Sequence, residues 1–405
     1  MRLFLFTDAF PYGLSETFLE NELPFLSVKF DEIVIIPLYK KEGVRIVPAN
    51  VTVWNPIINF SPNNRSKMLI NGILTFSPVG FGITEFFQKR VFLNKKWLWN
   101  FFTSLLLYRS MFSNSKLWKQ LQNKINEEDK LYFYWGDKST LLLPFLKNKI
   151  SNTTFVRFHR TDLYEYAKGG YIPFRKYIFP FIDWFLPISN DGKNYLIENY
   201  SNQIDQNRIH ISRLGVFDNG INPVKNSSTP FHLVSCSYMV PVKRISLIIE
   251  ALELINYEIK WTHIGTGKLY DSLQKSANSL SSNIQVEFLG SLSNKEVLSY
   301  YQQNHVDAFI NVSSSEGVPV SIMEALSFGI PVIATNVGGT SEIVDDQIGK
   351  LLNTEITAEE IATIITEFSN KDLSVLRENA RNRWSKLSNA EKNYLEFVEF
   401  IHNRN

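Results

Sequence analysis

Two glutamates, Glu316 and Glu324, frame a turn within the stretch SSSEGVPVSIMEALSFGIPVIAT (313–335). An apolar run predicts a strand before this turn. Pro319 suits the first turn of a following helix, because proline lacks an N–H that has no partner there. The free N–H groups at such a helix start favour anions such as a diphosphate, and a carboxylate can accept two vicinal hydroxyls. Taken alone, the pair also fits a capping Glu316 and an ordinary surface Glu324.

Three more charged or titratable residues follow other apolar runs. Lys243 and Arg244 come shortly after the run 231–237, and His159 ends the run 153–159. Cations suit a leaving diphosphate, because negative charge grows on it as the bond to the sugar breaks. A histidine at a strand end suits a cleft but is equally compatible with a structural role.

Together these segments resemble the family-four retaining glycosyltransferases of the GT-B fold. The resemblance is carried by EGVPVSIMEALSFGIPVIAT with GG and EIV behind it, by SCSYMVPVKRISLIIEAL (235–252) and by VRFHRTDLYEY (156–166). It is specific over 231–352 and looser before 130. It implies two Rossmann-like doubly wound domains facing a cleft, and transfer of a sugar from a UDP- or GDP-sugar with retention at the anomeric carbon.

The resemblance also implies roles for individual residues. Glu316, His159 and Lys243 would be catalytic, and Glu324 would bind the donor ribose. The other donor-side candidates are Arg244, Gly317, Val318, Val320, Gly290, Leu292 and Gly13, and the acceptor-side candidates are Ser15, Glu16, Asp162, Tyr134 and Trp135.

One position departs from the family pattern. Ser237 and Tyr238 stand where Gly-Arg is expected, so one cation is missing. Arg244 is the nearest replacement, and Arg157, Arg160 and Arg213 are the next candidates.

Apolar runs alternate with helical patterns along the chain, which predicts an α/β fold with parallel sheets covered on both faces. The predicted strands are 3–10, 32–39, 130–136, 153–159 and 184–189 in the first half, and 231–237, 258–265, 285–290, 306–312, 331–335 and 350–352 in the second. The predicted helices are 120–128, 191–200, 246–255, 269–277, 294–303 and 320–328.

We expect an acceptor-side domain over 1–217, a linker rich in Asn, Pro, Ser and Gly over 218–230, and a nucleotide-sugar-binding domain over 231–383. The tail 384–405 is predicted to form a helix that returns to the N-terminal domain. Its apolar face carries Tyr394, Phe397, Val398 and Ile401.

Residues 65–119 differ in composition from the rest, with nine Lys or Arg, one acidic residue (Glu85) and twelve aromatic residues. This mixture is typical of a helix that lies on an anionic membrane. It also fits a helical insertion whose aromatic rings pack in the core of the N-terminal domain.

The composition narrows the function classes. The chain has 405 residues, a net charge of +2 and one cysteine, which disfavours a nucleic-acid binder and excludes an internal disulfide. The sequence shows no metal-ligand motif, triphosphate-binding loop or membrane-spanning run, so we expect no metal and no cofactor other than the donor co-substrate. The single cysteine favours a cytoplasmic protein, and the composition of 65–119 favours a position at the inner face of the plasma membrane. The resemblance, together with this segment, implies a glycan or lipid-linked acceptor in surface polysaccharide synthesis. A nucleotide-sugar 2-epimerase and a non-catalytic donor-binding scaffold are the alternatives.

Overall fold

The computed structural model describes residues 1–58, 80–224 and 230–404. The chain forms two compact units. Unit 1 comprises Met1–Ser212 together with Tyr394–Asn405, and unit 2 comprises Arg213–Asn393. The C-terminal segment therefore returns to unit 1, as the sequence predicts.

Unit 1 contains a six-stranded parallel sheet with the order β3-β2-β1-β4-β5-β6. Its strands are β1 (Arg2–Thr7), β2 (Glu32–Pro37), β3 (Val51–Val53), β4 (Lys130–Phe133), β5 (Thr154–Phe158) and β6 (Trp184–Pro187). Alternate residues of β1 enter different cores, with Leu3 and Leu5 in one and Phe4 and Phe6 in the other. Both faces of the sheet are covered, which is why the strands read as continuous apolar runs.

Unit 2 contains a second six-stranded parallel sheet with the order β12-β11-β10-β7-β8-β9. Its strands are β7 (Phe231–Cys236), β8 (Ile259–Ile264), β9 (Ile284–Gly290), β10 (Ala308–Asn311), β11 (Val332–Thr335) and β12 (Gly349–Leu352). The doubly wound α/β prediction is confirmed in both units.

Helices join the strands. Those of unit 1 that precede the crossing are α1 (Thr17–Lys29), α2 (Gly80–Gln88), α3 (Lys95–Phe112), α4 (Ser115–Lys124), α5 (Leu143–Lys147), α6 (Arg175–Ile178) and α7 (Asn190–Tyr200). Those of unit 2 are α8 (Ile245–Glu253), α9 (Tyr270–Ala277), α10 (Asn294–Gln303), α11 (Val320–Ser327), α12 (Ala358–Ser369) and α13 (Ser374–Leu387), and α14 (Ala390–Asn403) carries the chain back.

Each sheet has a switch point beside its first strand. In unit 1 the chain builds β1, β2 and β3 to one side and then adds β4 on the other side of β1. In unit 2 it builds β7, β8 and β9 and then adds β10 on the other side of β7. Loops that leave neighbouring strands at such a point diverge and open a crevice at the carboxyl ends, which is where ligands bind in open α/β sheets.

All the predicted strands form, with ends that differ from the prediction by at most three residues. The three-residue edge strand β3 was missed because it is too short to show a periodic pattern. The helix predicted over 120–128 instead spans Ser115–Lys124, because Asn114 caps its start by accepting from the amide of Leu117 at 3.2 Å.

The predicted domain boundaries need correction. The first crossing lies at 212/213 rather than within 218–230, of which 225–229 fall outside the described residues. Residues 213–217 belong to unit 2 because Val216 bonds there: its amide donates to the Ser388 carbonyl at 2.9 Å, and its carbonyl accepts from Ala390 at 3.1 Å. That pairing also breaks the predicted tail helix into α13 and α14. The predicted apolar face of α14 is confirmed, since Tyr394, Phe397, Val398 and Ile401 are all buried.

A buried ion pair and its contacts join four elements of unit 1. Arg157 of β5 pairs with Glu22 of α1, and both side chains have 0% exposure. Tyr132 of β4 donates to the same glutamate at 3.0 Å, and the guanidinium lies 4.3 Å from the ring centre of Phe397 in α14. Arg157 is thus committed to the core, which removes it as a replacement for the missing cation.

We expect Glu22→Gln to lower the free energy of unfolding by about 3–5 kcal/mol, because it leaves the Arg157 charge buried without a counter-charge. Glu20→Gln is the matched control, since Glu20 lies on the same helix in an exposed pair with Arg45 and should change stability by less than about 1 kcal/mol. Urea unfolding measures both, and equal effects of the two variants would contradict the assignment.

Candidate active site

Lys243 and Glu316 lie together at the switch point of unit 2. Lys243 ends a short 3-10 helix in the loop after β7, and Glu316 lies in the loop after β10. The Lys243 Nζ is 2.5 Å from the Glu316 Oε1, and Asn311 at the end of β10 donates to the same oxygen at 3.3 Å. The neighbouring strands β7 and β10 bring residues 73 positions apart into one cluster.

The loop of Glu316 takes its shape from a turn at Gly338. This glycine has a φ of +53°, and a Cβ there would lie 2.2 Å from the carbonyl oxygen of Glu316. The amide of the next residue, Gly339, donates to the carbonyl of Gly317 at 2.7 Å. A glycine is therefore needed at position 338 so that two stretches of backbone can touch.

The helix after this loop starts as the sequence predicts. Pro319 is the residue before α11, and no side chain caps the helix. Glu316 therefore does not act as a cap, which removes one of the two structural readings of the glutamate pair. Gly317, Val318 and Val320 lie at the amino end of α11, where the first N–H groups lack partners within the helix.

Glu324 is buried rather than on the surface. It is buried about one turn into α11. Its Oε1 accepts a hydrogen bond from the Asn294 side chain at 2.5 Å. Burial raises the pKa of Glu324 to about 7, and the bond from Asn294 opposes this shift. A buried carboxylate with one partner can still accept hydroxyl groups from a ligand.

Asn294 is a site residue that sequence reasoning missed. It is the first residue of α10, whose start is fixed by a capping box between Ser293 and Glu296. The sequence of this capping box indicates where the helix starts. It does not indicate which way the Asn294 side chain points. Just before it, Gly290 has a φ of +69° with open space where a Cβ would stand, and Leu292 is half-buried.

Two of the three guanidinium nitrogens of Arg244 donate to backbone carbonyls. Its Nε donates to the carbonyl of Val312 at 2.6 Å and its Nη1 to that of Thr354 at 2.7 Å. Its Nη2 is buried and has no hydrogen-bond partner among the described residues. Burial lowers the pKa of Arg244. The side chain thus fixes the end of β10, from which the Glu316 loop departs, and its role at a diphosphate stays a prediction. Arg213 is likewise engaged, at 2.7 Å from Glu342.

A second cluster occupies the switch point of unit 1. The ring of His159, at the end of β5, lies against Trp135, with ring centres 4.4 Å apart. Asp162 accepts from the amides of His159 at 2.8 Å and Gly136 at 2.7 Å. Neither ring nitrogen of His159 has a hydrogen-bond partner, although its Nδ1 lies 3.7 Å from the Asp162 carboxylate.

Asp162 acts as the organiser of this cluster. Burial would raise the pKa of Asp162, but the nearby His159 ring and the amides of Gly136 and His159 outweigh burial and lower this pKa. Asp162 is thus held ionised between two loops. Its carboxylate is buried, so it positions His159 rather than offering a free oxygen to an acceptor.

The carboxylate of Glu16 is occupied by hydrogen bonds within the protein. Its carboxylate accepts the amides of Asp8, Ala9 and Phe10 at 2.7–2.9 Å and the Trp135 indole N–H at 2.8 Å. These four donors fill the acceptor sites of a carboxylate. Glu16 therefore shapes the loop after β1, and the predicted contact with an acceptor is not supported.

The remaining candidates of unit 1 differ in access. Tyr134 is buried in the core, so it cannot line an open surface. Ser15 does not cap α1, whose preceding residue is Glu16, and its hydroxyl accepts from Lys41 at 3.1 Å. Gly13 has a φ of +72°, in keeping with a tight turn.

Across residues 1–58, 80–224 and 230–404 there is no group of three or more His, Cys, Asp or Glu residues placed to hold a metal ion.

Comparison with known proteins finds a family likeness in the C-terminal half. Residues 218–388 match the sequence model described as Glycosyl transferases group 1. The matched segment contains Lys243, Glu316 and Glu324, and it includes the whole Rossmann-like sheet of unit 2.

Relatives by sequence extend the likeness. An uncharacterized glycosyltransferase of Methanocaldococcus jannaschii is 31% identical over 234 residues, which cover 56% of this chain and 61% of the relative. A putative colanic acid biosynthesis glycosyltransferase, WcaL of Escherichia coli, is 26% identical over 54% of this chain and 56% of its own length. The matched segments thus span less than two thirds of these curated relatives.

A solved structure shows the fold of the whole chain. The Anabaena protein HepE, crystallised with UDP, superposes with a TM-score of 0.66 at 14% identity and covers 100% of both chains. The architecture of this chain, including unit 1, is that of the GT-B glycosyltransferases.

The raised pKa of Glu324 predicts a specific dependence of stability on pH. Because folding disfavours the charged form, the contribution is favourable below the ordinary pKa of 4.5 and is lost as the pH rises through about 7. The free energy of unfolding of the wild type should therefore fall relative to that of Glu324→Gln by about 3 kcal/mol between pH 4.5 and 8. Urea unfolding at four pH values tests this, with the exposed Glu253→Gln as control. A difference that does not change with pH would contradict the burial of this carboxylate.

Proposed function

We propose that this protein is a retaining glycosyltransferase that moves a sugar from a UDP- or GDP-sugar to a growing glycan or lipid-linked acceptor of a surface polysaccharide. The observation that carries the proposal is the cluster of Lys243, Glu316 and Glu324 at the switch point of the segment that matches the group 1 model. The name of the colanic acid relative supports the acceptor class. The UDP bound to HepE, a protein of the same fold, is consistent with a nucleotide donor.

The donor would bind along the carboxyl edge of the unit 2 sheet. Glu324, with Asn294 beside it, would accept the two ribose hydroxyls, and the backbone near Gly290 and Leu292 would meet the base. The diphosphate would lie at the amino end of α11 and take Lys243 as its counter-ion. In the structure Lys243 pairs with Glu316, so a bound diphosphate would compete with that carboxylate for the ammonium group.

The chemistry proposed for transfer needs no protein nucleophile. A departing phosphate oxygen accepts the proton of the acceptor hydroxyl while the new bond forms on the same face of the sugar. The protein then contributes orientation and charge stabilisation. Lys243 stabilises the leaving group and Glu316 orients the donor sugar. His159 acts at the reacting sugar, since its two buried ring nitrogens have no hydrogen-bond partner among the described residues.

We further propose that transfer is independent of metal, because Lys243 and the α11 amides supply the positive charge that a divalent ion would otherwise bring. Assays in excess EDTA test this. Loss of transfer that manganese restores would overturn it.

We predict that Lys243→Ala abolishes transfer and that Glu324→Gln weakens UDP or GDP binding by about 1–3 kcal/mol, the cost of one charged hydrogen bond. Donor turnover measures the effect of Lys243→Ala on transfer, and calorimetry measures the effect of Glu324→Gln on nucleotide affinity. Lys268→Ala is the control for Lys243, because it removes another lysine of unit 2 that the proposal does not use. Unchanged nucleotide affinity in Glu324→Gln would rule out the ribose assignment.

A non-catalytic donor-binding scaffold remains the second candidate. It is favoured by one observation: Tyr238, in the place of an expected arginine, is 72% exposed and brings no charge. Nucleotide binding without donor cleavage by the wild type would support the scaffold and reject the enzyme.

We also propose that part of the basic aromatic segment docks on an anionic membrane. The positions 65–79 of that segment lie outside the described residues, and 80–119 form α2, α3 and part of α4. The large apolar residues of these helices fall into two sets. Phe101, Tyr108 and Trp118 are buried in the core, so the core-packing alternative holds for these three. The second set is exposed to solvent and comprises Ile83, Phe87, Phe92, Leu93, Trp99 and Phe102.

We call these six exposed side chains the apolar rim. Phe87 is 65% exposed and Trp99 is 54% exposed, and Lys89, Arg90 and Lys95 stand among them in sequence, all exposed. Rings that enter the acyl boundary and cations that meet anionic headgroups are the two components of interfacial binding. Among the described residues, no helix has the length and apolar character of a membrane span.

We expect Lys89, Arg90, Lys95 and Lys96 changed together to Ser to release the protein from anionic vesicles in flotation, because each cation adds about 1 kcal/mol near such a surface. Phe87→Ser with Trp99→Ser should release it as well, at any salt concentration. The control changes Lys371 and Lys392, exposed lysines of unit 2, to Ser. If the variant without the four cations and the variant without Phe87 and Trp99 both float like the wild type, core packing is the only role of this segment.

A further inference from the structure

Unit 1 contains a cavity of about 240 Å³ that the assignments above do not use. It lies between α3, the loop after β4 and the segment that precedes α6. Apolar walls are formed by Tyr39, Leu107, Tyr171 and Pro173, and polar groups come from Asn100 and Asp137 among others. A flat ligand with hydroxyl groups at its edge would match this combination of ring faces and hydrogen-bonding groups.

One residue that lines the cavity carries a buried nitrogen with no hydrogen-bond partner among the described residues. Arg175 is 3% exposed and lines the cavity, and its Nε has no hydrogen-bond partner. Its other nitrogens are used, by the carbonyl of Asp162 at 2.5 Å and by the Tyr200 hydroxyl at 3.1 Å. An unsatisfied buried N–H is costly unless a ligand accepts from it.

Two lysines that line the cavity are already paired with carboxylates. Lys138 pairs with Asp8, and Lys168 lies 3.8 Å from Asp137. A phosphate would have to break these pairs, whereas a neutral hydroxyl can donate to Asp137 and accept from Lys168 without doing so. The cavity volume is also below the usual range for drug-sized ligands, about 300–1,000 Å³, and suits a single small ring.

Two structural links connect the cavity to the rest of the proposed site. The loop after β4 places Trp135 against His159, while its next residues, Gly136, Asp137 and Lys138, line the cavity. Asp162 bonds to both sides, through the amide of Gly136 at 2.7 Å and through the amide of His159 at 2.8 Å. The cavity and the histidine therefore share one wall.

Helix α3 supplies the second link. Its residues Asn100, Thr103, Ser104 and Leu107 follow a helical spacing and line the cavity, while Trp99 and Phe102 of the same helix belong to the apolar rim. A ligand whose tail is held in a bilayer beneath the rim would present its polar end beside this helix.

We propose that the cavity binds one neutral sugar unit of the acceptor, next to His159. This inference rests on the proposed function, because it takes the ligand to be the acceptor of that transfer. It names a binding site in unit 1 that is independent of the donor residues in unit 2.

The experiment uses saturation-transfer NMR on the full chain, with the methyl glycosides of glucose, galactose, mannose and N-acetylglucosamine as probes. At least one should receive saturation from the wild type. Ser104→Phe, which fills the cavity, should reduce that signal at least fivefold. Lys168→Met should also reduce it, because it removes one hydrogen-bond donor from the cavity wall. Ser276→Phe, an exposed serine of α9 in unit 2, should leave it unchanged.

Melting temperatures confirm that each variant folds, and UDP and GDP binding is measured on the same samples. Absence of signal from all four glycosides on the wild type would overturn the proposal, as would an unchanged signal in Ser104→Phe. Displacement of the glycoside by inorganic phosphate but by none of the other sugars would also overturn it, in favour of an anion site. Failure of both nucleotides to bind the wild type would instead reject the proposed function, so the two failures are distinguishable.

Discussion

The donor-side cluster depends on how closely the turn at Gly338 can approach the loop of Glu316. The two backbones are so near that a single Cβ would overlap the Glu316 carbonyl oxygen. The adjacent amide of Gly339 then bonds to Gly317 and closes the contact. The position of the Glu316 carboxylate, the start of α11 and the burial of Glu324 along that helix all follow from this approach. A side chain at this turn would displace the whole loop rather than one residue.

Carboxylates at the strand ends have unequal environments, and these separate structural from chemical roles. Glu16 has four N–H donors and no free acceptor capacity, so its charge is spent on the loop that it organises. Glu324 has one amide partner and a raised pKa, which leaves it able to respond to a ligand. The environment of Glu316 is intermediate between these two. Its carboxylate pairs with Lys243, which is also the proposed counter-ion of the donor phosphate. The number of donors around each group decides which of them can act on a substrate.

Helix α3 shows how one element can serve two environments. Its buried side packs Phe101 and Tyr108 into the core, its exposed side carries Trp99 and Phe102, and the residues between them border a cavity. An amphipathic helix of a globular domain ordinarily has only a core face and a water face. Here the composition of the segment, basic and aromatic at once, reflects both packing and exposure, which is why the sequence supported two readings of it.

The sequence by itself determined the parallel α/β architecture, the strands, the start of α11 and the likeness of 218–388 to the group 1 glycosyltransferases. These follow from local patterns: apolar runs, a proline at a helix start, and glycines where backbone must turn. Only the tertiary structure decided which polar groups are free. Arg244 stands next to Lys243 in the chain, yet its guanidinium is held by the carbonyls of Val312 and Thr354. Asn294 reaches Glu324 from a helix that is 30 residues away in sequence. Hydrogen-bond partners distant in the chain leave no periodic signal, so the direction of a side chain and the saturation of a carboxylate are set by packing alone.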